Sequence, residues 1–336
     1  MIWFILAGLL LVSPVAAQDM PHPLVIAHRG ASGERPEHTR AAYELAIEQG
    51  ADVIEPDLVM SSDGELIVRH ENEIGGTTNV ADHPEFANRR TTKTIDGVPT
   101  TGWFTEDFTL AELRSLRARE RLSTLRPGNT AWTDETILTF QEVIDIAREG
   151  STRAGHVIGV APELKHPTYF EQTGLPMIEP FVAVLRANAL TAADSPIVVQ
   201  CFEVGTLRTL DDLVEAPLAQ LMSSSGGPAD LPDTTYARMV TPEGLAELAT
   251  YADWAAVETA MIIPRTPAGA AATPTTLIAD AHAAGLKVIV WTFRAESNFV
   301  PTDYRDDLPG WIRRFYELGV DAVFSDFPGV AVAARP

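Results

Sequence analysis

The chain has 336 residues, 46% of them hydrophobic and 21% charged. That composition excludes a disordered or low-complexity protein and leaves room for one large domain or two ordinary ones. With 46 acidic against 25 basic side chains the net charge is −21, so no footprint for nucleic acid or anionic membrane surfaces is expected. A single cysteine, Cys201, excludes intramolecular disulfides and cysteine-rich metal sites, and is expected to be buried and inert.

Residues 1–17 are uncharged, apolar and end in Val15-Ala16-Ala17, a small-residue cleavage signature. They read as a secretory signal peptide cut after Ala17, placing the mature chain, 18–336, in the periplasm or outside the cell. The segment lacks Lys and Arg, and an uncleaved anchor is the alternative reading. It is too short to span a bilayer, and no later segment resembles a span, so stable membrane insertion is not expected.

Short β-rich runs then alternate with helical patterns. A strand at 24–28 precedes a helix at 39–49 that stops at Gly50. A strand at 52–60 turns through Ser61-Ser62-Asp63-Gly64 into a short strand at 66–70. A helix at 140–149 is followed by a strand at 156–163, a helix at 179–188 and a strand at 196–200. Helices at 204–213 and 242–251 alternate with strands at 217–222 and 254–258. Helices at 274–284 and 308–318 pair with strands at 287–291 and 321–324. This rhythm predicts an α/β fold with parallel strands, and eight units predict a (β/α)8 TIM barrel. An open doubly wound sheet is the alternative, weakened because no G-x-G-x-x-G follows the first strand. Residues 72–131 break the rhythm after the second strand; a small inserted subdomain over the barrel mouth is expected there.

In such a barrel the chemistry sits where strands end. The first strand ends in His28-Arg29-Gly30. Glu55 and Asp57 share one face of the second, and two carboxylates so placed repel unless a cation lies between them. Oxygen donors of this kind suit Ca²⁺ or Mg²⁺ rather than zinc. The third strand adds Glu163, with Lys165 on the same side. A two-residue Asp63-Gly64 turn would set Asp57 opposite His70 and bring a second imidazole to the carboxylates. Two histidines, three carboxylates, Arg29 and Lys165 suit phosphate-ester hydrolysis: cations bind the phosphate oxygens and imidazoles move the protons. Each group also has a plainer reading, as a hydrogen-bonded rim residue or a surface ion pair. Phe202, Trp291 and Phe293 are candidates for an apolar pocket, with core packing as their alternative, and Asp326 is either a rim acid or a helix cap. Three rival functions follow from the same residues: a phospholipase-type phosphodiesterase acting on intact or lyso-lipids, a glycosidase with paired acids, and a two-lobed binding protein.

The blocks His28-Arg29-Gly30-Ala31-Ser32-Gly33, Arg35-Pro36-Glu37-His38-Thr39, Glu55-Pro56-Asp57-Leu58 and Ile67-Val68-Arg69-His70-Glu71 resemble the signature of glycerophosphodiester phosphodiesterases. Pro162-Glu163-Leu164-Lys165, Gln200-Cys201-Phe202, Phe293-Arg294-Ala295-Glu296 and Phe324-Ser325-Asp326-Phe327-Pro328 extend it over essentially the whole mature chain, nearest to the secreted, periplasmic-type members. The resemblance implies a (β/α)8 barrel that hydrolyses glycerophosphodiesters to an alcohol and sn-glycerol 3-phosphate with a divalent cation, calcium before magnesium. It puts the general acid/base pair on His28 and His70, the metal ligands on Glu55, Asp57 and Glu163, and phosphate binding on Arg29 with Lys165. Glu37 would orient His28 or Arg29. Val257-Glu258 stands where the family often has Gly-Pro, which bears on the alcohol preferred.

Overall fold

A computed structural model describes residues 23–336. The expected signal peptide lies outside the described residues. The strands in chain order are β1 (Leu24–His28), β2 (Val53–Glu55), β3 (Asp57–Met60), β4 (Leu66–Val68), β5 (Thr91–Ile95), β6 (Val98–Gly102), β7 (Gly159–Val160), β8 (Glu163–Leu164), β9 (Val199–Cys201), β10 (Leu218–Met222), β11 (Trp254–Glu258), β12 (Lys287–Phe293) and β13 (Ala322–Ser325).

Proline shapes two of the staves. β2 and β3 are one run broken at Pro56, and β7 and β8 another broken at Pro162, since proline has no N–H for the ladder. Both prolines still accept: Glu163 N donates to Pro56 O and Gln200 N to Pro162 O, each at 2.9 Å. The main sheet holds eleven strands; setting β4 aside and counting each broken run once leaves eight staves. All pair in parallel, β1 with β2, β2 with β7, β3 with β8, and so on through β13, which pairs back onto β1. The ladder therefore closes, and the fold is the expected (β/α)8 barrel.

Alternation along the staves makes two apolar layers. Ile26, Leu221, Ala256, Ile289 and Phe324 fill the interior. Val25, Val257, Val288, Val290 and Val323 face the outer helices. Those helices start where the side chains allow. Thr139 and Glu142 form a capping box for Phe140–Ala154, which stops at Gly155 with φ 75°. Strands 24–28 and 254–258 and helix 308–318 have the boundaries expected from sequence, and the other elements shift at their ends.

The segment 72–131 carries short 3₁₀ turns, a four-residue helix at Leu110–Leu113 and the antiparallel hairpin β5–β6. That hairpin turns on Asp96-Gly97, both at positive φ (48° and 82°), as a tight two-residue turn requires. The Asp63-Gly64 turn differs from expectation. Val59 pairs with Ile67 and Met60 with Leu66, so the loop has three residues and closes on Gly64 at φ 85°. The expected Asp57–His70 pairing is therefore not made; Arg69 N donates to Asp57 O instead, at 3.0 Å. His70 still reaches the mouth, because β4 ends at Val68 and strand alternation no longer governs the residues beyond it.

Candidate active site

Register brings the acids together. Asp57 is the cross-strand partner of Glu163, and Glu55 that of His28, and partners in a ladder point to the same side. One oxygen each from Glu55, Asp57 and Glu163 lie within 4.8 Å of one another, all three residues buried. Burial, with Asp57 alongside, pushes the Glu55 carboxyl well above its ordinary value. Burial and Asp57 also push Glu163 up to about 8, against the pull of Lys165. Asp57 moves the other way despite burial, because His70, Arg29, Lys165 and His38 surround it. Three oxygen donors this close fit a hard divalent cation, whose charge would replace the protons that otherwise separate them.

The turn after β1 supplies a buried cation. Arg29 has φ 58°, and its backbone N–H donates to Glu55 Oε2 at 2.7 Å. Its guanidinium lies 3.2 Å from both Asp57 Oδ2 and Glu37 Oε2. Gly30 follows at φ 83°, where a Cβ would sit 2.6 Å from the Ala42 carbonyl carbon; only glycine lets the helix at Arg40–Glu48 pack so close. Glu37 thus holds Arg29 rather than His28. It also accepts from Arg121 Nε at 2.8 Å. Arg29 and Arg121 hold its carboxyl well below the usual range, more than offsetting its burial.

The two histidines are built alike. His28 Nδ1 lies 2.6 Å from Asp326 Oδ1, and His70 Nδ1 2.7 Å from Glu71 Oε1. A neutral ring donates from Nδ1 to its carboxylate and leaves Nε2 as an acceptor. Lys165 donates to His70 Nε2 at 3.2 Å. Burial, and then Arg29, lower His28 to about 3 and His70 to about 4, so both rings are neutral at pH 7. Asp326 does not cap the final helix, Pro328–Ala333, whose cap is Phe327. It is instead a buried anchor for His28, Arg126 and Arg294.

A cavity of about 290 Å³ collects these groups: His28, Arg29, Glu55, His70, Glu163 and Lys165 all line it. Phe202 and Trp291 form part of its wall, their rings edge to face at 5.9 Å. Phe293 does not line it. A register shift between Val290 and Phe293 reverses the alternation and packs Phe293 outward, 5.0 Å from the Phe315 ring. Sequence reading missed Arg121 and Arg294, which also line the cavity, and His38, whose Nε2 lies 2.8 Å from Asp57 Oδ2. His38 lies inside the quoted motif at φ 60°, and such a polar residue before a helix start was the available signal.

Buried cations and paired imidazoles, set at the mouth of a (β/α)8 barrel, have the chemistry of a phosphate-ester hydrolase. The model of the glycerophosphoryl diester phosphodiesterase family matches residues 28–330, and the chain belongs to that family. It is 33% identical over 323 residues to glycerophosphodiester phosphodiesterase GDPD6 of Arabidopsis thaliana, covering 91% of this chain and 84% of that one. It is 27% identical over 340 residues to glycerophosphodiester phosphodiesterase of Haemophilus influenzae, with coverage of 92% and 88%. Among solved structures, an Oleispira antarctica phosphodiesterase in complex with the product sn-glycerol-3-phosphate shares the fold. Its TM-score is 0.62, at 24% identity, over 93% of this chain and 96% of that one. A glycerophosphodiester phosphodiesterase from Agrobacterium tumefaciens does so with a TM-score of 0.61 at 19% identity, over 93% and 99%.

Proposed function

We propose that the protein hydrolyses glycerophosphodiesters to an alcohol and sn-glycerol 3-phosphate, with His28 and His70 as the general acid/base pair. The observation that carries this reading is that both rings open into one cavity with Arg29, Glu55 and Glu163, each ring steered by a carboxylate on Nδ1. Glu55, Asp57 and Glu163 would hold the divalent cation, calcium or magnesium. When bound, it supplies charge against the phosphoryl oxygens. Arg29 and Lys165 hold the phosphate, and Glu37 aims Arg29. One imidazole takes the proton of the attacking hydroxyl as its oxygen bonds to phosphorus; that hydroxyl belongs to water, or to the glycerol half with water then opening the cyclic phosphate. The bond from phosphorus to the departing alcohol oxygen breaks, and the other histidine supplies that oxygen with a proton. An anionic phosphate beside the rings favours the protonated form that the acid role needs.

The test is release of glycerol 3-phosphate from glycerophosphocholine by the purified chain supplied with Ca²⁺. Release of choline phosphate instead, or no cleavage, would overturn the reading. Asp326→Asn is expected to lower kcat about 10–100-fold, the range for losing a group that orients a site ligand. The carboxylate pulls the His28 pKa upward, so its loss moves the limb of kcat/KM that His28 sets, the acid limb as base or the alkaline limb as acid, to lower pH. A lower Tm with an unmoved pH profile would make Asp326 merely structural. Export is proposed on residues 1–17 alone. Sequencing of the secreted protein should begin at Gln18 or nearby, and Met1 at that terminus would indicate an anchor.

A further inference from the structure

A second cavity of about 290 Å³ adjoins the first, and Glu163, Lys165 and Phe202 border both. The chambers differ in chemistry. The first presents His28, Arg29, Arg121 and Arg294 and is made for an anion. The second is walled by the rings of Phe202 and Tyr236, 6.1 Å apart and edge to face, with Asp96, Glu203 and His166.

Its charges are unequally matched. His166 is held between Asp96 at 2.6 Å and Glu71 at 3.5 Å, and Lys165 lies 2.9 Å from Glu163. Glu203, only 3% exposed, has no cationic partner among the described residues. Its carboxylate accepts from Thr168 N at 3.0 Å, Thr168 Oγ1 at 2.6 Å and Thr206 Oγ1 at 3.4 Å, all neutral donors. Asp230 nearby accepts, among the described residues, only from the backbone N–H groups of Val204 and Gly205. Burial, with Asp230 and Asp96 near, pushes the Glu203 carboxyl above its ordinary value. A buried carboxylate without a counter-charge is costly, and a ligand cation relieves the cost. Aromatic faces add attraction for a cation that sheds its water easily, as a quaternary ammonium does.

We propose that the second cavity is the leaving-group subsite and that it takes a small alcohol bearing an ammonium group. Its cation rests on Glu203 against the wall formed by Phe202 and Tyr236. The glycerol half occupies the first chamber, and the phosphate lies at the seam beside Lys165. The assignment rests on the hydrolase reading above.

Three diesters that share the glycerophosphate half separate the possibilities: the choline ester, its neutral 3,3-dimethylbutyl isostere and the methyl ester. The wild type is expected to favour the choline ester over the isostere by about tenfold or more in kcat/KM. Glu203→Gln keeps the shape and removes the charge, and that ratio should fall towards one. Ala229 is an exposed residue on the cavity wall, so Ala229→Phe can plug the chamber without disturbing the core. It should lower the choline-to-methyl ratio about tenfold. Equal wild-type rates for the choline ester and its isostere would overturn the subsite, as would ratios unchanged in both variants. A wild type that hydrolyses none of the three would overturn the hydrolase reading, and the subsite with it.

Discussion

Replacing His28 or His70 with alanine lowers kcat by ~10²–10⁴-fold, the range for losing a general acid or base, and leaves the fold standing. The structure shows why stability is spared. Without the His28 ring, Asp326 still has Arg126 and Arg294, so no buried carboxylate is orphaned. Without His70, Glu71 keeps His166 and Lys165 keeps Glu163. Each change therefore removes a proton carrier but no counter-charge, and Tm should move little. Both rings are lowered, to about 3 and about 4. The acid limb of kcat/KM in the wild type should accordingly lie well below the ordinary histidine range, with activity lost as falling pH protonates the base. Near-normal turnover in His70→Ala would remove His70 from the acid/base pair.

How far this site could be read from sequence depends on how each residue arrives. Glu55 with Asp57, and Glu163 with Lys165, sit two apart on a stave, so strand geometry alone puts each pair on one face. Phe293 takes the alternative given for it, core packing, because a register shift between Val290 and Phe293 turns it away from the face of Ile289, and nothing in a local pattern of β-branched and aromatic residues announces that shift. The hairpin shows a subtler limit. Asp-Gly at 63–64 sits in a three-residue loop, whereas Asp-Gly at 96–97 makes the two-residue turn; the same dipeptide serves both, and the flanking pairing decides. The inserted segment was hardest. Arg126 reaches Asp326 across 200 positions, and Arg121 reaches Glu37 across 84. Contacts of that range depend on the whole barrel being closed, which no window of sequence contains.

The largest expected effect besides the histidines is that of the cation. Chelation followed by dialysis should abolish activity, and Ca²⁺ or Mg²⁺ should restore it. The reason lies in the acids themselves: oxygens of Glu55, Asp57 and Glu163 within 4.8 Å cannot all carry charge in a buried site unless something positive joins them. Without a metal, burial and the neighbouring Asp57 push Glu55 and Glu163 up, the latter to about 8, and protons take that part. Proton and cation therefore compete for the same oxygens. A raised carboxyl must release its proton before it can coordinate, so apparent metal affinity should weaken as pH falls through about 8 and level off above it. Titration calorimetry at pH 6 and pH 9, in buffers of different ionisation enthalpy, would register weaker binding and greater proton release at the lower pH. Glu163→Gln removes both a charged ligand and the partner of Lys165, and should bind metal far less tightly at either pH. Full activity in excess chelator would take the cation out of the chemistry. Identical affinity and no proton release across that pH interval would mean that the triad is held apart by Arg29, His38 and Lys165 alone.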